Sequence, residues 1–242
     1  MNVADLTAVI TGASRGLGAG IAEDFGARGM KLGLCARSAP VLGSSETVVS
    51  AQFDVADASA TDRFCAEVSE RFGHIDLWIN NAGILEPVRP LRDVTSEEFS
   101  RHLDVNVLGV FHGSRAYIRH VRATGRAGVL INISSGAARA PYFGWSAYCA
   151  GKAAVDRITE CIALEEADID LRAHSVAPGI INTAMQETIR SCSPDVFPLV
   201  EKFRQLERDD AFSTTDEVAR RLLALAFDPA KRTDDVLLDL RD

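Results

Sequence analysis

Short apolar and β-branched runs alternate along this chain with longer amphipathic stretches, and that rhythm leaves few folds open to it. Thr7 to Thr11 reads as a strand, about Gly16 to Ala27 as a helix and Lys31 to Cys35 as a second strand. Further strands are expected at Thr47 to Phe53, Ile75 to Asn80, Gly128 to Ser134, Leu171 to Ala177 and Val236 to Leu240. Helical patterns lie between them near 58–72, 96–122, 146–167 and 214–227. Parallel neighbours need a crossover, usually a helix, so this order predicts an α/β protein, a doubly wound parallel sheet covered by helices on both faces. The 242 residues carry no Pro/Gly/Ser-rich linker, so one domain over 1–242 is expected. Residues 184–213 break the rhythm with Pro194, Pro198 and a charged stretch from Lys202 to Asp210, and are read as a substrate lid after a strand end.

Composition narrows the partners. A formal net charge of −8 opposes attraction to nucleic acid or anionic lipid. Leu6 to Ile10 is too short for a signal-peptide core. The stretch Ala147 to Ala163 contains Lys152, Asp156, Arg157 and Glu160 and so cannot serve as a membrane span. The expectation is a cytoplasmic protein with no nucleic-acid or membrane partner. Cysteines 35, 65, 149, 161 and 192 form no CxxC pair, which reads as reduced packing thiols and no metal site.

The first strand runs into Thr11-Gly12-Ala13-Ser14-Arg15-Gly16-Leu17-Gly18 and a helix start, where free backbone N–H groups and the helix dipole suit a pyrophosphate. The spacing Gly12, Gly16, Gly18 differs from GxGxxG, and a tight βα turn is the plainer alternative. Where a carboxylate would bind an NAD ribose stands Arg37, with Arg15 in the loop, so two cations face one 2′-phosphate and NADP(H) is the expected cofactor. Two solvated arginines would look the same. Asp54 and Val55, after the third strand, are assigned to the adenine, Asp54 accepting its amino group or else capping a turn. Asn81, Ala82 and Gly83 end the fourth strand with small residues that let a cofactor pass close to backbone.

Tyr148 and Lys152 stand at i and i+4, on one face of a helix. A nearby ammonium favours phenolate and is expected to lower the Tyr148 pKa toward acid/base work. Ser135, at the end of the Gly128 strand, is placed to bond a substrate carbonyl beside the tyrosine, or is a turn former.

These motifs, in this order, resemble the short-chain dehydrogenase/reductase family over nearly the whole chain. Thr11 to Gly18 matches TGxxxGxG, Asn80 to Gly83 matches NNAG, Tyr148 to Lys152 matches YxxxK with Ser135 upstream, and Pro178-Gly179 with Thr183 matches the later cofactor motif. The resemblance implies a Rossmann sheet and hydride transfer between NADP(H) and a small carbonyl or alcohol. Ser135 would position the carbonyl oxygen, Tyr148 donate the proton, Lys152 tune Tyr148 and bind the nicotinamide ribose, and Asn106 continue the relay. Thr183 and the backbone around Ile181 would fix the carboxamide, with Pro178 and Gly179 in the same cofactor motif.

Arg37, the Asn182 to Gln186 segment and the chain end are similar to sepiapterin reductase and benzil reductase-like members. Ala137, Tyr142, Trp145, Gly179, Met185 and Phe197 are the expected pocket walls, suited to an aromatic or dicarbonyl compound, or else simply core. Asp239 and Asp242 fall where pterin reductases place an acidic anchor, or in a solvated terminus. The family's Asp-Gly-Gly tail is replaced here by Val236 to Asp242, leaving homodimer and homotetramer both open, a dimer forming through the helices of Asn106 and Tyr148. A non-catalytic NADP-binding regulator, an alcohol dehydrogenase working in the oxidative direction and a Rossmann-like methyltransferase are the rival readings.

Overall fold

A computed structural model describes residues 2–241. Seven parallel strands make one sheet in the order β3-β2-β1-β4-β5-β6-β7. They are β1 (Thr7–Thr11), β2 (Lys31–Ala36), β3 (Val48–Gln52), β4 (Leu77–Asn80), β5 (Gly128–Ile133), β6 (Leu171–Ala177) and β7 (Leu237–Asp239). The central strands β1, β4 and β5 are buried along their whole length, as strands covered on both faces must be.

Alternation sorts each strand's side chains between two cores. Ala8 and Ile10 of β1 join Val129 and Ile131 of β5 against α1 (Gly16–Ala27) and α8 (Thr215–Phe227), through Ile21, Phe25, Val218 and Leu222. Val9 and Leu130 face the other way, onto Phe64 and Val68 of α2 (Ala58–Phe72), Tyr117 and Val121 of α4 (Gly109–Thr124) and Ile162 of α5 (Ser146–Glu165). The chain winds outward from β1 to β3, then returns to β4 beside β1. That reversal opens a crevice at the carboxyl ends of β1 and β4.

Two elements depart from the sequence expectation. The single helix expected over 96–122 is α3 (Ser96–Leu103), a π-helical turn over Asp104–Leu108 and then α4. A one-turn widening leaves apolar periodicity almost untouched, so no sequence pattern marks it. The 184–213 segment, to which the sequence reading assigns no helix, is partly helical. It contains α6 (Ala184–Ser191) and α7 (Val200–Arg208), with Pro194 and Pro198 in the link between them. Among the described residues, no helix is long and apolar enough to cross a membrane.

Candidate active site

The glycine-rich turn is built by contacts that exclude side chains. Gly12 and Gly16 have φ of +72° and +60°, a region open to glycine. A Cβ on Gly18 would lie 2.4 Å from Asn81 Nδ2 and 2.5 Å from the Gly12 carbonyl oxygen. The turn is tied to the end of β4 by Thr11 Oγ1, which accepts from the backbone N–H groups of Asn81 and Ala82 at 3.0 Å. Asn81 Nδ2 donates back to the Thr11 carbonyl at 2.9 Å. Helices α3 and α8 close their first turns with capping boxes, Thr95 with Glu98 and Thr214 with Glu217. By contrast Arg15, the N-cap of α1, makes no side-chain cap, so the first N–H groups of α1 are left for an anion.

A cleft of about 820 Å³ runs from this turn across the sheet edge. The end beside β2 and β3 is walled by Ser14, Arg15, Arg37, Asp54 and Val55, with both arginines exposed. Asp54 is already committed: Arg101 Nη2 donates to Oδ2 at 2.8 Å and the Ala56 N–H to Oδ1 at 3.1 Å. The turn-capping alternative therefore describes its carboxylate, and any adenine contact shares those oxygens. Gly12, Gly16, Leu17, Gly18, Asn81, Ala82, Gly83, Pro178, Gly179, Ile181 and Thr183 line the middle. Thr183 leans over the turn, its Cγ2 3.3 Å from where a Gly16 Cβ would sit. This backbone-lined channel, cationic at one end, fits a dinucleotide.

Ser135, Tyr148 and Lys152 meet where the channel opens into an apolar chamber. The Ser135 hydroxyl stands beside the Tyr148 phenol and favours its ionised form. Lys152 is only 5% exposed. Its Nζ donates to the Ile133 carbonyl at 2.7 Å and lies 5.7 Å from the Tyr148 ring centre. Asn106 lies behind them, fully buried in the π turn. Its amide is clamped: Oδ1 accepts from the Ile84 N–H, and Nδ2 donates to the Ile84 carbonyl, both at 2.8 Å, and to His102 Nε2 at 2.6 Å. His102 Nδ1 donates to the Glu86 carbonyl at 2.7 Å, which fixes the neutral tautomer. Burial holds the His102 pKa down, and the Lys152 charge adds to that.

The expected coupling between Lys152 and Tyr148 takes a different form. Burial pushes the Tyr148 phenol up to about 12, opposed by the Ser135 hydroxyl. Burial also brings Lys152 down to about 8, opposed by Asp156. The ammonium is anchored on Ile133 over the ring, and desolvation is the largest cause of the shift in each group.

Ala137, Tyr142, Trp145 and Met185 wall the chamber. Phe197, expected beside them, does not line it. Its ring is fully buried, stacked on Trp145 at 4.9 Å and 3°. Trp145 in turn stacks on Tyr142 at 4.9 Å and meets the Tyr148 ring edge-on at 5.7 Å. Ile189, Lys202, Phe203 and Arg241 also reach the cleft and were not anticipated. Met185 and Ile189 stand four apart and Val200 and Phe203 three apart, a helical spacing that was there to be read across two short helices. Asp239 takes the Arg241 guanidinium, Nε to Oδ1 at 2.8 Å, which lowers its pKa. Asp242 lies outside the described residues.

Comparison with known proteins agrees with this arrangement. The family model for short chain dehydrogenases matches residues 6–193. The chain is 32% identical over 224 residues to benzil reductase ((S)-benzoin forming) of Bacillus subtilis, covering 90% of this chain and 91% of that protein. It is 39% identical over 187 residues to 3beta-hydroxysteroid dehydrogenase 1 of Eggerthella lenta, covering 73% and 71%. The crystal structure of the KRED1-Pglu enzyme superposes with a TM-score of 0.86 at 31% identity, covering 96% of this chain and 99% of that one. With the glycine turn, the Ser-Tyr-Lys cluster and the parallel sheet in one frame, the chain belongs to the short-chain dehydrogenase family, oxidoreductases that act on alcohols and carbonyls.

Proposed function

We propose that this protein is an NADPH-dependent reductase of small aromatic or dicarbonyl ketones and aldehydes. The observation that carries the reading is one cleft with two unlike ends. Arg15 and Arg37, with no acidic residue after β2, suit a 2′-phosphate, and the Tyr142–Trp145 stack beside Tyr148 suits a flat substrate. Likeness to a benzil reductase over nine-tenths of the chain supports the same substrate class.

When bound along the glycine turn, Asn81 to Gly83 and Thr183, NADPH would supply the hydride for the carbonyl carbon. Ser135 donates a hydrogen bond to the carbonyl oxygen and holds it against Tyr148. A phenol that stays protonated up to about 12 is in the form that reduction requires, and it passes its proton to the oxygen as negative charge develops there. Lys152 holds positive charge beside the phenol, and the Asn106 amide keeps the π turn in register with Ile84. Helices α6 and α7 act as the lid: Ile189, Val200, Phe197 and Phe203 pack with Trp145 and exclude water from the chamber. The exposed Leu108 of the π turn, Phe111 of α4 and Leu164 of α5 are assigned to a homodimer face.

The test is oxidation of NADPH and NADH against benzil, isatin, sepiapterin, simple ketones and steroid ketones. The reading expects an aromatic dicarbonyl to turn over fastest, with NADPH preferred. Equal use of NADH, or a preference for aliphatic ketones, contradicts it.

A further inference from the structure

Tyr148 and Lys152 account for two turns of α5, and the next position on the same face, Asp156, is a carboxylate that the site described so far does not use. It is 8% exposed. Buried carboxylates are normally paired with a cation, yet Asp156 makes no ion pair among the described residues. Two hydroxyls hold it instead. Ser134 Oγ, after β5, donates to Oδ1 at 2.5 Å and Ser175 Oγ, in β6, to the same oxygen at 2.6 Å.

The neighbouring residue gives the arrangement its sense. Ile133 accepts from Lys152 Nζ, and Ser134 donates to Asp156, so consecutive residues at the end of β5 hold the ammonium and the carboxylate at a fixed separation. We propose that Asp156 is a positioning residue of the active site, a buried counter-charge one turn behind Lys152 that keeps the ammonium protonated where the fold removes it from water. This rests on the reading of Lys152 as part of the proton-transfer site.

Other ionisable groups around Lys152 do not supply that charge. From α3 comes His102, fixed as a neutral imidazole and repelled by Lys152 rather than supporting it. On α5 itself, Tyr148 is a protonated phenol. On β6, Ser175 faces α5, while Arg172 and His174 alternate to the opposite face, where they bond the carbonyls of Leu225 and Ala226 and of Asp235. Burial alone drives the Lys152 pKa down, and the Asp156 charge is what opposes it.

Asp156→Asn separates charge from scaffolding, because an amide oxygen still accepts from both serines. Lys152 is one of four lysines in the chain, so its 13Cε resonance can be followed in lysine-labelled protein and assigned by its loss in Lys152→Met. The wild-type midpoint is expected near 8. In Asp156→Asn it is expected to fall by about one unit or more, a tenfold change in acidity, and the alkaline limb of NADPH-dependent reduction to fall with it. Should Asp156→Asn not unfold cooperatively, Asp156→Ser, which leaves a hydroxyl cluster in place, is read the same way. An unmoved Lys152 midpoint in the folded variant overturns the proposal and leaves Asp156 a hydrogen-bond hub. A shifted midpoint in a protein that reduces no carbonyl sustains the inference and refutes the proposed function, so the two fail separately.

Discussion

The two ends of the cleft are made of different materials. The end proposed for the cofactor is backbone: a turn that tolerates no Cβ at Gly18, a helix start left uncapped at Arg15, and N–H groups just past β4 bound to Thr11. The end proposed for the substrate is side chain: Tyr142 stacked on Trp145, with Phe197 stacked behind Trp145 and Phe203 of α7 5.8 Å from it. A backbone site has one shape for one ligand, whereas a side-chain site can be recut by substitution without disturbing the sheet. Binding of a dinucleotide should therefore be robust and substrate class easily changed.

The largest effect should come from the aromatic stack. Trp145→Ala removes the ring that Tyr142, Phe197 and Phe203 share, and a loss of about 3–5 kcal/mol in unfolding free energy is expected with a raised KM for aromatic substrates. NADPH affinity, read by fluorescence titration, should hold within about twofold, or less than 0.5 kcal/mol. A matching loss of NADPH affinity would show that the two ends are not separable.

At the other end, Arg37→Asp places a carboxylate where a 2′-phosphate is expected. The NADPH/NADH ratio of kcat/KM should fall by about tenfold to a hundredfold, roughly 1.4–2.8 kcal/mol, with substrate ranking unchanged. A constant ratio would assign the 2′-phosphate to another residue.

A smaller effect, on stability alone, separates chemistry from folding. Lys152 falls from 10.5 in the unfolded chain to about 8 in the fold, so between those values the unfolded chain binds the extra proton and stability rises with pH. Below about 8 both states are protonated and the full penalty of the buried ammonium is present. Lys152→Met should therefore raise stability at pH 7 by about 1–3 kcal/mol while abolishing turnover, the gain shrinking as pH rises toward 10. Equal stability of the two proteins at pH 7 would mean that the Ile133 hydrogen bond already offsets the burial.

The same contrast explains what could be read from the sequence. Backbone sites need glycine and small residues at fixed spacing, so Gly12, Gly16, Gly18 and Asn81 to Gly83 are visible as letters. Parallel strands, buried on both faces, write themselves as apolar runs, and the expected strands overlap all seven found. Side-chain sites carry no such spacing. Phe197 reads like a pocket wall and proves to be the layer behind it, while Ile189 and Phe203 reach the chamber from α6 and α7, in a stretch whose prolines and charges disguise two short helices. The π turn at Asn106 and the burial that sets Tyr148 and Lys152 depend on tertiary contacts, which spacing along one helix does not encode.

Tyr148→Phe tests the central claim most directly, with NADPH binding and NADPH-dependent reduction of an aromatic dicarbonyl measured on the same preparations. Loss of the proton donor predicts turnover lower by about 10²–10⁴-fold with NADPH affinity nearly unchanged. Turnover within a few-fold of wild type would contradict the assignment and place the proton on another group.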